Sequence, residues 1–260
     1  MGNGAGVRRA ELLHRVPVTR SAHDHYGADL AYIHDAGFGA LAHRAGPALV
    51  AELRARGIRR GLVVELGCGS GILAARLGRA GYDVLGVDVS PAMLRLAKRA
   101  APGACFVRAS LHEFPLPRCE AVLALGEGLA YVPVRGRAPS LRRLFARVAR
   151  ALRPGGLFAF DLIVKDGSPR LDARGFRATW DWAVLSEVQE RGARLERRIT
   201  TFRRVGASYR RSAETHAQRL VRRDEVTSLL RGAGFRVSTA RAYGKVELLP
   251  RRLAFFATRL

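Results

Sequence analysis

The chain has 260 residues, 48% of them hydrophobic, which is enough to build one large core or a core with a small insertion. No window approaches the roughly 20 apolar residues of a transmembrane helix, and the first residues lack the apolar middle of a secretory signal. Composition therefore argues against a membrane-spanning protein and predicts a cytoplasmic one with no membrane partner.

The formal net charge of +23 makes a nucleic-acid partner possible. Nearly all of the cations are arginines, however, and they are spread along the chain instead of forming one block with interleaved aromatic residues. We therefore favour a solvated basic surface over binding to a polyanion. The cysteines Cys68, Cys105 and Cys119 are odd in number and lack the spacing of metal ligands, so we expect reduced thiols and no metal site.

The first predicted elements precede the sheet. Residues 1–24 are rich in glycine and arginine and have no sustained periodicity, which predicts a flexible arm. Residues 25–60 carry helical spacing that is interrupted at Gly37 and Gly39. We expect two or three short helices here, which cap the ligand edge of the sheet that follows.

The most informative segment is an apolar run that ends in Glu65 and then has glycine at positions 67, 69 and 71. Glycine is needed where the backbone takes a positive φ or approaches a ligand closely, so the pattern predicts a buried strand that enters a tight loop. A helix pattern follows, and then a second strand that ends in Asp88. This is the first half of a nucleotide-binding α/β sheet, and the terminal acid can accept hydrogen bonds from two ribose hydroxyls.

Two cofactors fit a glycine loop of this kind. The stretch from Gly69 to Ala74 satisfies the dinucleotide fingerprint G-x-G-x-x-A, which holds a pyrophosphate at a helix N-terminus. The additional Gly67 and the carboxylate of Glu65 favour a different ligand, because an anion repels a pyrophosphate and attracts an α-amino group. An NAD(P)-dependent oxidoreductase and a noncatalytic nucleotide-binding module are therefore the less favoured alternatives.

The pattern Glu65-x-Gly67-x-Gly69-x-Gly71, followed by Asp88, resembles the cofactor site of class I S-adenosylmethionine-dependent methyltransferases, and the resemblance is close over residues 60–163. It implies that S-adenosylmethionine is the cofactor and S-adenosylhomocysteine the product. The family's usual aspartate near the adenine stands here as Ser110, whose hydroxyl can still meet the adenine edge. The cofactor-binding residues that the resemblance implies are Glu65, Gly67, Cys68, Gly69, Gly71, Asp88, Val89, Met93, Ser110, Leu111, Leu125 and Gly126.

The alternation of strands and helices stops after Asp161, and hairpin-linked strands follow. We predict an α/β fold: a doubly wound, mostly parallel seven-stranded sheet with helices on both faces, plus a small antiparallel insert after strand five. Residues 25–163 and 221–260 form the core. The insert, residues 164–220, is either a lid or a dimerisation sheet, so the chain is a monomer or a homodimer. The strands predicted after the fifth are Thr179–Gln189, Leu195–Val205 and Tyr209–Leu220 in the insert, then Phe235–Ala240 and Leu253–Thr258.

The first strand of the insert carries two tryptophans. Trp180 and Trp182 share one face with Val184 and Val188, because side chains alternate along a strand. We expect this face to pack on the core in preference to contacting a substrate.

The candidate catalytic residues are those that the order of elements places near a methyl acceptor. Glu127 follows the fourth strand, His216 lies among polar residues of the insert, and Tyr32 lies on the amino-terminal helices. Each also has a structural interpretation: a carboxylate at a helix start for Glu127, a structural or surface histidine for His216, and a core-facing side chain for Tyr32. The further candidates at this edge are Tyr26, His34 and Tyr243.

The resemblance implies methyl transfer, and we expect a small-molecule acceptor that attacks the methyl group by in-line displacement. An RNA or protein methyltransferase is the alternative that the positive charge favours. It is opposed by the lack of a recognisable RNA module. The chain also reads Leu125-Gly126-Glu127-Gly128 after strand four, where amino-methylating enzymes of RNA and protein carry an Asn/Asp-Pro-Pro-aromatic tetrad.

Overall fold

The computed structural model describes residues 25–260, and the flexible arm predicted for residues 1–24 lies outside the described residues. The break predicted at Gly37 to Gly39 is present, because the first helix ends at Phe38 and the second begins at Ala40. Within residues 25–260 the α-helices are α1 (Ala28–Phe38), α2 (Ala40–Ala55), α3 (Ile72–Arg79), α4 (Pro91–Ala100), α5 (Leu141–Ala151) and α6 (Arg223–Gly232).

The strands alternate with these helices up to residue 163 and then follow one another directly. In the same part of the chain they are β1 (Leu62–Leu66), β2 (Asp83–Asp88), β3 (Cys105–Arg108), β4 (Cys119–Ala124), β5 (Tyr131–Val132), β6 (Leu152–Ile163), β7 (Ala173–Ala178), β8 (Trp182–Arg191), β9 (Arg194–Val205), β10 (Ser208–Arg219), β11 (Phe235–Ala240), β12 (Ala242–Tyr243), β13 (Val246–Glu247) and β14 (Arg252–Arg259). A short 3₁₀ turn, Gly128–Ala130, lies between β4 and β5.

The main sheet confirms the predicted doubly wound α/β fold. Its seven strands run in the order β11-β14-β6-β4-β1-β2-β3, and β14 is antiparallel to both of its neighbours. Alternate residues of β1 enter two separate cores, one covered by α5 and α6 and the other by α2, α3 and α4. The chain order reverses between β1 and β4, which is where ligands bind in sheets of this kind.

The second sheet is larger than the three-stranded insert predicted from the sequence. Its order is β5-β10-β9-β8-β7, so two strands were not predicted. The two residues of β5 are too few to show a period, and every residue of β7 is exposed, which leaves no apolar alternation to detect. On its inner face this sheet packs against α1, where Leu30 and Ile33 contact Trp182, Val184 and Ile199.

The prediction that Trp180 shares the packed face with Trp182 was wrong. The strand β8 begins at Trp182, so Trp180 lies in the preceding turn and is 76% exposed, whereas Trp182 is 3% exposed. The guanidinium of Arg204 lies 5.9 Å from the centroid of the Trp180 ring. Packing of the insert on the core therefore depends on one tryptophan.

No helix within residues 25–260 combines the length and apolar character needed to cross a bilayer. The helix α2, with 16 residues, is the longest one described, and it carries charged residues along its solvent side.

Candidate functional site

The glycine loop leaves β1 in the left-handed conformation that the sequence predicts. The φ angles of Gly67, Gly69 and Gly71 are +73°, +51° and +80°. A Cβ atom at Gly71 would lie 2.8 Å from the Cα of Ala97, so this glycine lets α3 approach α4. A Cβ at Gly69 would meet no protein atom within 4 Å. Gly69 therefore faces open space at the edge of the sheet, where a ligand can approach the backbone.

Asp88 and Glu65 place two carboxylates beside this loop. Asp88 accepts hydrogen bonds from the backbone N–H groups of Gly69 and Ser90, each at 2.9 Å, which ties the end of β2 to the loop. Glu65 is 3% exposed, and its Oε2 has no hydrogen-bond partner. Burial, followed by the charge of Asp88, raises the pKa of Glu65 well above its usual value. An unmatched buried carboxylate oxygen fits a positively charged donor such as the α-amino group of S-adenosylmethionine.

We expect Asp88→Ala to weaken the binding of S-adenosylhomocysteine by roughly 1.5–3 kcal/mol, because the ribose hydroxyls lose a charged acceptor. Titration calorimetry measures this directly. Asp83→Ala, at the exposed start of the same strand, is the matched control and should bind as the wild type does. Unchanged affinity in Asp88→Ala would remove this residue from the cofactor site.

Other residues that the resemblance implies lie around the same edge. Leu111 is the nearest side chain to Gly67, with its Cδ2 3.7 Å from a Cβ built at that glycine. The carbonyl of Leu111 accepts a hydrogen bond from Arg147 Nη2 at 3.0 Å, so this carbonyl already has a partner within the protein. The hydroxyl of Ser110 accepts from the backbone N–H of His112 at 3.3 Å and is partly exposed. The contacts of Ser110 and Leu111 with adenine stay predictions.

Two of the implied residues are buried, and a third is held through its backbone. Cys68 is 5% exposed, and burial raises the pKa of its thiol, which suits a small apolar side chain. Met93 is 2% exposed and packs against Ala31 of α1. Val89 offers its carbonyl to the Nε of Arg108 at 3.1 Å. These residues shape the wall around the loop, and direct contact with the cofactor stays a prediction for each of them.

The loop after β4 is held by Asp161, a residue that the sequence analysis did not select. The backbone N–H groups of Gly126 and Glu127 donate to its two carboxylate oxygens at 2.8 and 3.0 Å, and Tyr243 Oη donates at 3.0 Å. Gly126 and Glu127 are both left-handed, at φ +77° and +66°. Tyr243 was predicted at the acceptor edge, but it is buried in the core behind Asp161. An acid within the apolar run of β6 was the available signal for Asp161.

Asp161 gives a pH-dependent stability that can be measured. Burial raises the pKa of its carboxyl from 3.8 to about 6. Because the folded state holds the proton more tightly, this group favours folding most below pH 3.8, and the advantage is lost as the pH rises through about 6. The variant Asp161→Asn does not titrate. Between about pH 4 and about pH 7, its unfolding free energy should therefore rise relative to the wild type by roughly 2.4 kcal/mol. Urea unfolding at the two pH values measures the difference in unfolding free energy between Asp161→Asn and the wild type. The same difference at both pH values would contradict the prediction.

Glu127 was predicted as a catalytic carboxylate, but the structure pairs it inside the protein. It is 2% exposed, its Oε1 forms an ion pair with Arg252 Nε, and its Oε2 accepts from Gln218 Nε2 at 2.9 Å. It makes no capping hydrogen bond to the 3₁₀ turn that follows. Through these two partners the Glu127 side chain joins the end of β4 to β10 and β14.

Tyr32 is also directed away from the predicted site. Its hydroxyl donates to Asp181 Oδ2 at 2.7 Å, and the guanidinium of Arg203 lies 3.8 Å from the centroid of its ring. Both partners belong to the antiparallel sheet and the turn before β8. Tyr32 therefore fastens α1 to that sheet, and the hydrogen bond to Asp181 raises its pKa, which disfavours a role as a base.

A cluster of rings lies where α1, β5 and β10 meet, and we call it the aromatic cluster: His25, Tyr26, His34, Tyr131 and His216. The His216 ring centroid is 4.7 Å from that of His25, 5.0 Å from that of Tyr26 and 5.7 Å from that of Tyr131. The Tyr26 and Tyr131 hydroxyls are 3.1 Å apart. The sequence analysis selected Tyr26, His34 and His216 but missed His25 and Tyr131, because no periodicity marks either of them.

The aromatic cluster adjoins the cofactor loops. The Ser90 hydroxyl, two residues after Asp88, donates to the Tyr26 carbonyl at 2.7 Å. Tyr131 directly follows the 3₁₀ turn, and Gly128 in that turn has its Cα 3.8 Å from a Cβ built at Gly67. The cluster is thus joined to the ends of both β2 and β4, on the side of the sheet edge that the antiparallel sheet covers.

His216 is held in one orientation by Glu214. Its Nε2 lies 2.8 Å from Glu214 Oε2, and the same carboxylate accepts from the backbone N–H groups of Tyr26 and Gly27, each at 2.8 Å. Burial opposes ionisation, but the hydrogen bond from His216 and those from the backbone lower the pKa of Glu214 overall. An ionised Glu214 makes Nε2 the protonated nitrogen, so Nδ1 carries the lone pair. His216 is 1% exposed, and Nδ1 has no hydrogen-bond partner.

No group of three or more His, Cys, Asp or Glu side chains within residues 25–260 is arranged to hold a metal ion. The three cysteines are free thiols, at positions on separate elements of the sheet and its glycine loop.

Comparison with known proteins agrees with this geometry. A family model described as a methyltransferase domain matches residues 63–156. A protein of Bacillus subtilis named as a methyltransferase is 24% identical over 189 residues, which are 68% of this chain and 74% of that protein. The chain spans about half or less of the length of several other curated relatives that it matches.

Solved structures of methyltransferases share the whole fold. A sugar N-methyltransferase of Streptoalloteichus superposes with a TM-score of 0.74 at 21% identity, covering 95% of this chain and 99% of that one. An amino pentose methyltransferase of Micromonospora echinaspora, solved with S-adenosylmethionine bound, gives 0.72 at 20% identity, covering 92% and 100%. Together with the glycine loop, Glu65 and Asp88, these findings show that the chain carries a methyltransferase domain at residues 63–156, within a fold that it shares with S-adenosylmethionine-dependent methyltransferases.

Proposed function

We propose that the protein transfers a methyl group to an amine of a small molecule bound in the aromatic cluster, with His216 as the base. The observation that carries this proposal is the unpartnered Nδ1 of His216, which Glu214 orients and which is buried beside the cofactor loops. When bound, S-adenosylmethionine supplies a methyl group on a sulfonium that is itself a good leaving group, so the chain needs no nucleophile of its own.

The residues of the cluster have distinct parts in this proposal. His216 Nδ1 accepts the proton that an ammonium or amine loses, and Glu214 stabilises the imidazolium that results. The ring faces of Tyr26 and Tyr131 attract a cationic amine before it is deprotonated. Burial of His216, which is 1% exposed, keeps water from Nδ1, where it would compete for the proton.

Nitrogen is the favoured acceptor atom for two reasons. An ammonium must lose one proton before its nitrogen attacks, and a neutral amine loses one after the methyl group is transferred, so a single histidine base suffices. Two similar structures are described as a sugar N-methyltransferase and an amino pentose methyltransferase, and both superpose over more than nine-tenths of this chain. An amino sugar or a similar small amine is therefore the acceptor class that we propose.

The antiparallel sheet supplies the acceptor side of this site. Glu214 and His216 lie on β10, and the edge strand β5 joins Tyr131 to it through the register of Ala217 with Val132. A sheet that contributes the proposed base favours the predicted lid over the predicted dimerisation sheet. Residues 164–220 then work together with the start of α1 to close the acceptor site.

Turnover of the cofactor tests the proposal. The full-length protein is incubated with S-adenosylmethionine and either a panel of amino sugars and small amines or total RNA, and S-adenosylhomocysteine is measured by mass spectrometry. We expect product with small amines and none with RNA. Methylated RNA without any methylated small molecule would contradict the proposal, and so would product from alcohols or carboxylates alone.

A further inference from the structure

We infer that the acceptor carries an anionic group, a carboxylate or a phosphate, and that Arg197 binds it. This inference rests on the proposed function, because it places the anionic group in the same acceptor site. It concerns a residue that no motif marks, since Arg197 is one of many arginines in a strongly basic chain.

The register of the antiparallel sheet places Arg197 beside the proposed base. Arg197 on β9 is the cross-strand partner of His216 on β10 and of Val188 on β8. Cross-strand partners share a face, and residues two apart on one strand share it too. Leu195 and Ile199, on either side of Arg197, are buried. Arg197 is thus a half-buried guanidinium on the inner face of the sheet.

Three arginines at or near this face have carboxylate partners, and another, Arg177, donates to the Gly37 carbonyl. Arg203 and Arg210 both pair with Asp29, the second through two hydrogen bonds. Arg252, which reaches the cluster from β14, pairs with Glu127. Within residues 25–260 the guanidinium of Arg197 has neither a hydrogen bond nor an ion pair to the protein.

Its charge nevertheless acts on the aromatic cluster. Burial raises the pKa of both Tyr26 and Tyr131, and the positive charge of Arg197 opposes that rise at each hydroxyl. Neither carboxylate near the cluster contacts Arg197, because Glu214 accepts from His216 and two backbone N–H groups, and Glu127 pairs with Arg252 and Gln218. Arg197 is therefore the cation beside the cluster that has no carboxylate in direct contact.

Two buried atoms next to Arg197 also lack partners. His216 Nδ1 and Gln218 Oε1 belong to side chains that are 1% and 2% exposed, and neither atom has a hydrogen bond. Buried polar groups are normally satisfied, so unmatched atoms in one place indicate a missing ligand. A guanidinium matches the two oxygens of a carboxylate or a phosphate. His216 Nδ1 can take a proton from the amine of the same molecule, and Gln218 Oε1 can accept another of its hydrogen bonds.

Anion binding tests this inference without knowledge of the acceptor. Inorganic phosphate and succinate are the probes, titrated at constant ionic strength into protein saturated with S-adenosylhomocysteine. We expect at least one of them to bind the wild type, and Arg197→Gln to weaken that binding at least about tenfold. Arg198→Gln is the matched control, because Arg198 is the next residue, points to the outer face and is exposed. It should bind the probe as the wild type does.

The outcomes separate this inference from the proposed function. Preference for phosphate or for succinate identifies which anionic group the acceptor carries. Arg197→Lys keeps the positive charge but lacks the two parallel N–H donors of a guanidinium, so it should bind the probe with intermediate affinity. This variant provides the test if Arg197→Gln does not fold. If neither probe binds, or both Arg197→Gln and Arg198→Gln weaken binding equally, the inference is wrong. Turnover of neutral amines would then still support the proposed function.

Discussion

Gly69→Val is expected to lower the affinity for S-adenosylhomocysteine more than a hundredfold while the protein stays folded. A Cβ at this position meets no protein atom within 4 Å, so the added side chain clashes with nothing in the protein. It does occupy the open space beside Glu65 and Asp88, where the cofactor approaches the backbone. Valine in the left-handed region also costs roughly 1–3 kcal/mol of stability, which must be separated from the loss of binding.

Gly57→Val separates the two effects. Gly57 follows α2, has a φ of +77°, and likewise has no atom within 4 Å of a built Cβ. Both variants therefore carry the same backbone strain, and thermal unfolding should show a similar loss of stability in both. Calorimetry should show that only Gly69→Val loses the ligand. Equal affinities in the two variants would mean that the loop at Gly69 does not approach the cofactor.

The cofactor half of the site could be predicted because its residues are close in sequence and constrained by local geometry. Three alternate glycines after a buried strand require left-handed backbone, and the structure gives all three a positive φ. The acid at the end of β2 follows from the same strand–loop–helix–strand unit. One short segment therefore identified both the fold and the class of cofactor.

The acceptor half could not be predicted in the same way, because its contacts join residues that are far apart in sequence. The Tyr26 N–H reaches Glu214 across 188 positions, and the Tyr26 and Tyr131 hydroxyls meet across 105. Tyr32 failed as a candidate because α1 turns it toward Asp181, and a helical pattern does not reveal which neighbour each face meets. Asp161 was overlooked because its partners are backbone N–H groups of another loop.

His216→Gln tests the part of the site that the sequence alone left uncertain. Glutamine keeps a polar side chain of similar size but has no lone pair that can take a proton near neutral pH. We expect kcat to fall by about 10²- to 10⁴-fold, as is typical when a positioned base is lost, with little change in the affinity for S-adenosylhomocysteine. His43→Gln, on the exposed side of α2, should leave both quantities unchanged.

The dependence of the rate on pH distinguishes a base from a residue that only shapes the site. If His216 accepts the proton, the wild-type rate falls as the pH is lowered and the imidazole becomes protonated, and the Gln variant loses this fall. The pH dependence of the rate in Glu214→Gln should lie between those of the wild type and His216→Gln. In this variant the His216 ring keeps Nδ1 but loses the carboxylate that orients it and stabilises its charge. If His216 only packs against its neighbours, its replacement should lower the rate by the same factor at every pH. Retention of the wild-type kcat and pH profile in His216→Gln would show that the acceptor loses its proton to another group, and the aromatic cluster would then serve for binding alone.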